Sequence, residues 1–179
     1  MPSSVISYTI SAAKKLREIK PGDTYLVGYS LGGGLALMTA ASDHEVKAVV
    51  AISPFVGLKE FVDWAKPNAK PNTTFYDDLQ TIEKEYGNNT NSQTYEERSP
   101  NVSNIQAPVL LLQGTSDTKV PWQTVQTFAQ QMKTAHKVVR LVLYKGGQHS
   151  LQTVPYEEES TQEMDNWFNK FGLNTQYPN

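Results

Sequence analysis

The residues of this sequence that could do chemistry together are a serine, an aspartate and a histidine: Ser30, Asp117 and His149. A serine hydroxyl becomes a nucleophile when a base takes its proton, and an acid behind that base fixes the tautomer. Each of the three follows a short apolar run that is typical of a buried strand. Parallel strands would bring them to one edge of a sheet, where Ser30 could carry a covalent acyl group.

The stretch GYSLGG, residues 28–33, lies between the apolar run TYLV and the helical pattern LGGGLALMTAAS. A strand, a G-x-S-x-G turn and a helix in this order raise the serine on a strained turn above the sheet. Gly28, Gly32 and Gly33 are expected to leave room where the helix crowds the strand. The N–H of Leu31, at the start of the helix, is expected to donate to an oxyanion.

The glycine turn alone leaves two other interpretations open, a phosphate-binding loop and a plain packing turn. A P-loop needs a lysine within the loop, and this one has none. A dinucleotide site needs a further acidic residue, which the sequence does not supply. The interpretation therefore depends on the base and the acid.

His149 is the histidine placed to serve as the base, after a Gly-Gly loop at the expected sheet edge. His44 lies in the polar loop ASDHEV, and His136 ends an amphipathic helix. Both are expected to be solvated or to interact with a helix terminus. Asp117 is the preferred acid, because the second strand ends in Ser-Pro without an acidic side chain. The alternative role of Asp117 is an Asx turn.

Four β-rich apolar runs alternate with helical patterns, which predicts an α/β fold with a parallel sheet and helices on both faces. A helix over Ser3–Lys20 precedes the first strand. Residues 55–104 are rich in Asn, Thr, Glu and aromatic side chains, and predict a helical and loop insertion that could form a small cap. Residues 1–179 are expected to form a single domain. The strand runs are DTYLVGYS, EVKAVVAIS, APVLLLQG and VVRLVLYKGG.

The composition excludes several classes of function. The 179 residues include 16 basic and 18 acidic side chains, a formal net charge of −2, which is no signature for nucleic acid or an anionic membrane. No apolar run approaches the ~20 residues of a membrane-spanning helix. The chain has no cysteine, and no metal or cofactor is implied. The first residues lack a signal-peptide pattern, so a cytoplasmic location is expected.

Three motifs in order resemble the α/β-hydrolase superfamily, and within it the catalytic domains of prolyl oligopeptidase-like and dienelactone hydrolase-like enzymes. They are GYSLGG at 28–33, ERSPNVSNIQAPVLLLQGTSDTKVP at 97–121 and YKGGQHSL at 144–151. The resemblance covers nearly the whole chain. It implies a serine hydrolase, carboxylesterase-like or peptidase-like, that cleaves a small-molecule ester or a short peptide without a cofactor.

The resemblance also implies a role for each candidate residue. Ser30 would be the nucleophile, His149 the general base and then the general acid, and Asp117 the orienting acid. Leu31 would supply one oxyanion N–H. Tyr29, which flanks the serine, and Trp122, which opens the helix after Asp117, are candidates for the substrate pocket.

Aromatic residues of the insertion have two possible roles. They could line an acyl pocket, or they could form the small core of the insertion itself. They are Phe55, Phe61, Trp64, Phe75 and Tyr76.

The sequence departs from the superfamily pattern ahead of the nucleophile. Several strands precede the nucleophile strand in the superfamily, whereas one helix precedes it here, so a truncated fold of about four strands is expected. No HGGG-like stretch occurs that could give the second oxyanion N–H. Loss of one such donor costs about 10²–10³ in rate. The alternative function is therefore a weak or inactive binding module, or a fragment of a larger peptidase or esterase.

The same departure leaves the nucleophile strand without a neighbour on one side, and such an edge invites pairing. Three explanations are open. The chain is a fragment of a larger hydrolase, or its N-terminal residues cover the edge, or it is a homo-oligomer in which two copies pair edge to edge.

Overall fold

The computed structural model describes residues 3–173, which contain one parallel sheet of four strands in the order β1-β2-β3-β4. This confirms the predicted α/β fold. The strands are β1 Thr24–Tyr29, β2 Val46–Ile52, β3 Val109–Gly114 and β4 Val139–Tyr144. The helices are α1 Ser3–Ile19, α2 Leu31–Ser42, α3 Leu58–Asn68, α4 Thr74–Tyr86, α5 Gln93–Glu96, α6 Trp122–Thr134 and α7 Tyr156–Lys170, with a 3-10 turn at Val102–Asn104.

The sheet is covered by helices on both faces, because its strands are apolar on both faces. Val49 of β2 lies in a buried cluster with Leu37 of α2 and Phe128 of α6. Leu112 of β3 points to the opposite face, where it packs with Trp167 of α7. None of the helices described here is long and apolar enough to cross a membrane.

The strand register brings the carboxyl ends of β1, β2 and β3 level with one another. Tyr29 pairs with Ile52, and Ile52 pairs with Leu112. Strand β3 runs on to Gly114, which pairs with Tyr144 at the end of β4. The loops that follow the strands therefore meet at one edge of the sheet.

The insertion is helical, as predicted, and consists mainly of α3, α4 and α5. It has a buried cluster of its own, in which Tyr95 is fully buried and donates a hydrogen bond to the Gly87 carbonyl at 2.5 Å. Of the predicted aromatic residues, Phe61 belongs to this cluster, and Phe55, Trp64 and Phe75 pack against it. The insertion core is therefore the main role of these side chains.

Strand β1 lies at an open edge of the sheet. Val27 is 59% exposed and Tyr29 is 45% exposed. Helix α1 packs mainly against α2, and Arg17 near its end donates to Thr24 at 3.0 Å. The explanation in which N-terminal residues cover this edge is thus not supported by α1.

Candidate active site

Ser30 occupies a strained turn between β1 and α2. Its φ of 54° and ψ of −120° lie in a region that a non-glycine residue rarely adopts. Surrounding hydrogen bonds hold it there: its N–H donates to the Ile52 carbonyl at 2.8 Å, and its carbonyl accepts from Gly33 at 3.1 Å and from Phe55 at 3.0 Å. The backbone is thus fixed on the strand side, the helix side and the insertion side.

The three glycines predicted to make room at this turn are not equivalent. A Cβ on Gly28 would overlap the backbone of Gly32, and a Cβ on Gly33 would lie 2.8 Å from Pro54 Cβ. A Cβ on Gly32 would meet no such atom within 4 Å. The prediction for Gly32 was therefore wrong: its backbone crowds Gly28, but its own Cβ position is open.

Ser30, His149 and Asp117 form a continuous hydrogen-bonded line. His149 Nε2 lies 2.9 Å from Ser30 Oγ, and His149 Nδ1 lies 2.7 Å from Asp117 Oδ2. A carboxylate accepts and does not donate, so Nδ1 carries the proton and Nε2 is left to accept from the serine hydroxyl. This tautomer is the one that a general base needs.

Asp117 makes the contacts that both interpretations from the sequence require. Its Oδ1 accepts from the backbone N–H of Lys119 at 2.7 Å and of Val120 at 2.9 Å, which is an Asx-type turn. Its Oδ2 faces His149. The turn therefore anchors one carboxylate oxygen and presents the other.

The other two histidines lie apart from this line. His44 is exposed between α2 and β2, and His136 is exposed after α6, with a φ of 56°. Both connections run from a helix into a strand, so they lie at the amino ends of the parallel strands, whereas Ser30, Asp117 and His149 lie at the carboxyl ends. Within residues 3–173, no cluster of His, Asp and Glu could hold a metal ion.

A cavity of about 290 Å³ opens beside Ser30. Its apolar wall comes from Leu31, Phe55, Phe61, Ile82 and Val120. Its polar wall comes from Asp78, Thr81 and Lys119. Two aromatic residues of the insertion thus line a pocket as well as the insertion core.

The two pocket candidates named from sequence, Tyr29 and Trp122, do not line this cavity. The Tyr29 ring lies against the His149 ring, with centroids 5.0 Å apart, and burial followed by the charge of Asp117 raises the pKa of its phenol. Trp122 is half-buried and begins α6, which leads the chain away from Ser30 and over the sheet. Val120, two residues earlier, lines the pocket instead.

The N–H group expected from the sequence to face an oxyanion, that of Leu31, lies at the start of a helix. Leu31 begins α2, and the first N–H groups of a helix have no partner within the helix. The insertion brings a second N–H close, that of Phe55, but this group already donates to the Ser30 carbonyl at 3.0 Å. The role of Leu31 as an oxyanion donor therefore stays a prediction.

Residues 7–174 match the prolyl oligopeptidase family along nearly the whole chain. The chain belongs to this family. The resemblance drawn from the three motifs is thereby confirmed, and the prolyl oligopeptidase family is a family of hydrolases.

An acylamino-acid-releasing enzyme from Arabidopsis thaliana is 25% identical over 160 residues, which cover 84% of this chain and 20% of that protein. A puromycin-hydrolyzing peptidase from Mycobacterium tuberculosis superimposes with a TM-score of 0.75 at 23% identity, covering 94% of this chain and 25% of that one. A protein from Klebsiella pneumoniae, described as a putative dienelactone hydrolase, superimposes with a TM-score of 0.64 at 20% identity. The match covers 95% of this chain and 62% of that one. The chain thus spans a fifth to a quarter of the length of the first two relatives.

Two buried polar residues at the site were missed by the sequence analysis. Ser53 is fully buried at the end of β2, with a φ of 44°, and its hydroxyl donates to the His149 carbonyl at 2.6 Å. Gln113 is fully buried in β3, and its Nε2 donates to Asp117 Oδ2 at 2.9 Å. Gln113 is the lone polar side chain in the apolar run APVLLLQG, which was the available signal, whereas Ser53 follows β2 and its run also contains Glu45 and Lys47.

Ser53→Ala should lower ester turnover about tenfold, because the backbone of His149 loses its tie to the sheet and small displacements of a base are costly. The free energy of unfolding should fall by about 1 kcal/mol, the usual net value of one hydrogen bond. Steady-state kinetics and thermal unfolding measure both. Ser160→Ala, which removes a buried hydroxyl on α7, is the matched control, and an equal loss of turnover there would contradict the assignment.

Proposed function

We propose that this chain is a serine hydrolase that cleaves an ester or amide bond through an acyl-enzyme on Ser30. The observation that carries the proposal is the Asp117–His149–Ser30 line, with contacts of 2.7 and 2.9 Å, on a strained strand-to-helix turn. The order of these residues along the chain is that of α/β-hydrolase triads. Membership of the prolyl oligopeptidase family supports hydrolysis as the reaction class.

Each group has one task in the proposed mechanism. His149 Nε2 takes the hydroxyl proton as Ser30 Oγ attacks the acyl carbon, and Asp117 Oδ2 stabilises the imidazolium through Nδ1. The Leu31 N–H donates to the oxyanion. His149 then gives its proton to the leaving alcohol or amine as the acyl bond breaks. Water, deprotonated by His149, then attacks the acyl carbon, the bond to Ser30 Oγ breaks, and His149 returns the proton to Oγ as the acid leaves.

The cavity beside Ser30 supports a substrate with an apolar group of moderate size. A volume of about 290 Å³ with an aromatic and aliphatic wall suits one such group on the acyl side. Asp78 and Lys119 lie at its polar wall, with much of each residue open to solvent. The partial desolvation of the Asp78 carboxyl raises its pKa, and the charge of Lys119 opposes that rise. Small-molecule esters and short peptides both fit this description.

Pre-steady-state hydrolysis of p-nitrophenyl acetate tests the function. We expect a burst of one p-nitrophenolate per chain, followed by slower turnover, because an acyl-enzyme accumulates on Ser30. A release rate equal to that of Ser30→Ala protein would overturn the proposal.

A second candidate function is a weak or inactive hydrolase-fold binding module. It is favoured by one observation: the N–H of Phe55, in the insertion, already donates to the Ser30 carbonyl. The absence of a second donor would lower the rate by about 10²–10³. A burst without measurable steady-state turnover distinguishes this candidate from an efficient hydrolase.

We also propose that two copies pair through the open edge of β1. An edge strand is self-complementary under a two-fold axis, and exposed apolar residues such as Val27 favour pairing. The chain would then form one continuous sheet across a dimer.

Light scattering should give a dimer mass at micromolar concentration for the wild type and a monomer mass for Val27→Lys, since an edge lysine blocks strand pairing. Val138→Lys is the matched control, because Val138 is 54% exposed and directly precedes β4, the strand at the other side of the sheet from β1. A monomeric wild type would contradict this proposal.

A further inference from the structure

We propose that Gln113 is a positioning residue that holds the Asp117 carboxylate in the rotation at which Oδ2 meets His149. The inference rests on the proposed function, in which His149 must keep its proton on Nδ1. Gln113 touches neither the cavity beside Ser30 nor the serine itself. It acts through Asp117.

The position of Gln113 suits this role. It lies next to the end of β3, fully buried, where its backbone pairs with Leu143 of β4. Its Nε2 donates to Asp117 Oδ2 at 2.9 Å and to the Gly114 carbonyl at 3.0 Å. A side chain anchored on a central strand gives a rigid point from which to orient a carboxylate in the following loop.

The Asp117 carboxylate needs such a second point. The N–H groups of Lys119 and Val120 hold Oδ1, and because rotation about the Cβ–Cγ bond moves both oxygens together, a donor on Oδ2 adds a second restraint on that rotation. The Gln113 amide holds Oδ2 from the sheet side while His149 approaches from the other. Two donors on one oxygen thus fix the plane of the carboxylate.

The amide of Gln113 has a single favourable orientation. Turned the other way, its Oε1 would face the Asp117 carboxylate, and two acceptors would repel each other. In the orientation present, Oε1 is buried and has no hydrogen-bond partner among the described residues. A buried acceptor without a partner is destabilising. Gln113 therefore keeps a donor on Asp117 although its own Oε1 is left without a partner.

Two substitutions separate the effect of the hydrogen bond that Gln113 donates from the effect of the shape of its side chain. Gln113→Met keeps the length of the side chain and removes both the donor and the unpartnered oxygen. Gln113→Glu keeps the shape and replaces the donor with an acceptor that faces Asp117. Ser160→Ala, a buried polar residue of α7, is the control.

The first readout is the rate of labelling by a fluorophosphonate. We expect Gln113→Met to react about 10–100-fold more slowly than the wild type, as misplacement of a catalytic group implies. Gln113→Glu should lose at least as much, KM for p-nitrophenyl acetate should stay unchanged, and the Met variant should melt near the wild-type temperature. Wild-type labelling rates in both variants, or a melting temperature that falls in step with the rate, would overturn the inference.

The second readout does not depend on activity. The imidazole ¹H–¹⁵N spectrum of His149, assigned by its loss in His149→Ala, should shift in Gln113→Met and stay unchanged in Ser160→Ala. An unchanged His149 signal would overturn the inference even in an inactive protein. Failure of the wild type to be labelled would instead overturn the proposed function, so the two failures are distinguishable.

Discussion

Removal of any member of the Ser30–His149–Asp117 line should reduce p-nitrophenyl ester turnover by at least about 10³-fold, because the three act as one unit. Ser30→Ala removes the nucleophile and His149→Ala removes the base. Asp117→Asn can still accept from Lys119 and Val120 through its oxygen, but its amide would then face His149 Nδ1 and favour the wrong tautomer. All three variants should keep the wild-type circular dichroism spectrum.

The chain supplies its own controls for this experiment. His44 and His136 are exposed in loops at the amino ends of the strands, away from Ser30. Alanine at either position should leave ester turnover within about twofold of the wild type, since surface substitutions of this kind are nearly neutral. Loss of activity in His136→Ala with activity retained in His149→Ala would contradict the assignment of the base.

Gly28→Ala should destabilise the protein by about 3 kcal/mol or more and abolish turnover, because added volume in a packed backbone crossing cannot be absorbed. The new Cβ would overlap the carbonyl of Gly32, a backbone atom that cannot rotate away. Relief requires that β1 and α2 separate, which displaces Ser30 between them.

Gly32→Ala is the matched comparison, from the same turn. Gly32 lies in the first turn of α2. Apart from the backbone of its own helix and its chain neighbours, no atom lies within 4 Å of the position that its Cβ would take. Its free energy of unfolding should stay the same or rise by up to about 1 kcal/mol, the difference in helix propensity between the two residues. Urea unfolding measures both variants, and equal destabilisation of the two would refute the packing described for this turn.

The arrangement of the strands and the meeting of Ser30, Asp117 and His149 could be predicted from the sequence for one physical reason. In a parallel sheet, residues that follow apolar runs share one edge, so position along the chain translates directly into proximity. The helical character of residues 55–104 followed from composition in the same way.

The features that could not be predicted depend on contacts between elements distant in the chain. Gly28, Gly32 and Gly33 look alike in sequence, and only the approach of Pro54 and of the helix backbone separates them. In the sequence Gln113 is one polar residue in an apolar strand, and its hydrogen bond to Asp117 is visible only in the structure.

Trp122 is a similar case. Its proximity to Asp117 in sequence placed it at the pocket, but it begins α6 and does not line the cavity. Part of the cavity wall comes from the insertion, through Phe55 and Phe61, which are distant from Asp117 in sequence.

Fluorophosphonate labelling followed by peptide mapping tests the central claim most directly. We expect one phosphonyl group per wild-type chain, located on Ser30, with labelling strongly reduced in His149→Ala. A folded wild type that remains unlabelled, or that carries the adduct on another residue such as Ser53 or Tyr29, would contradict it.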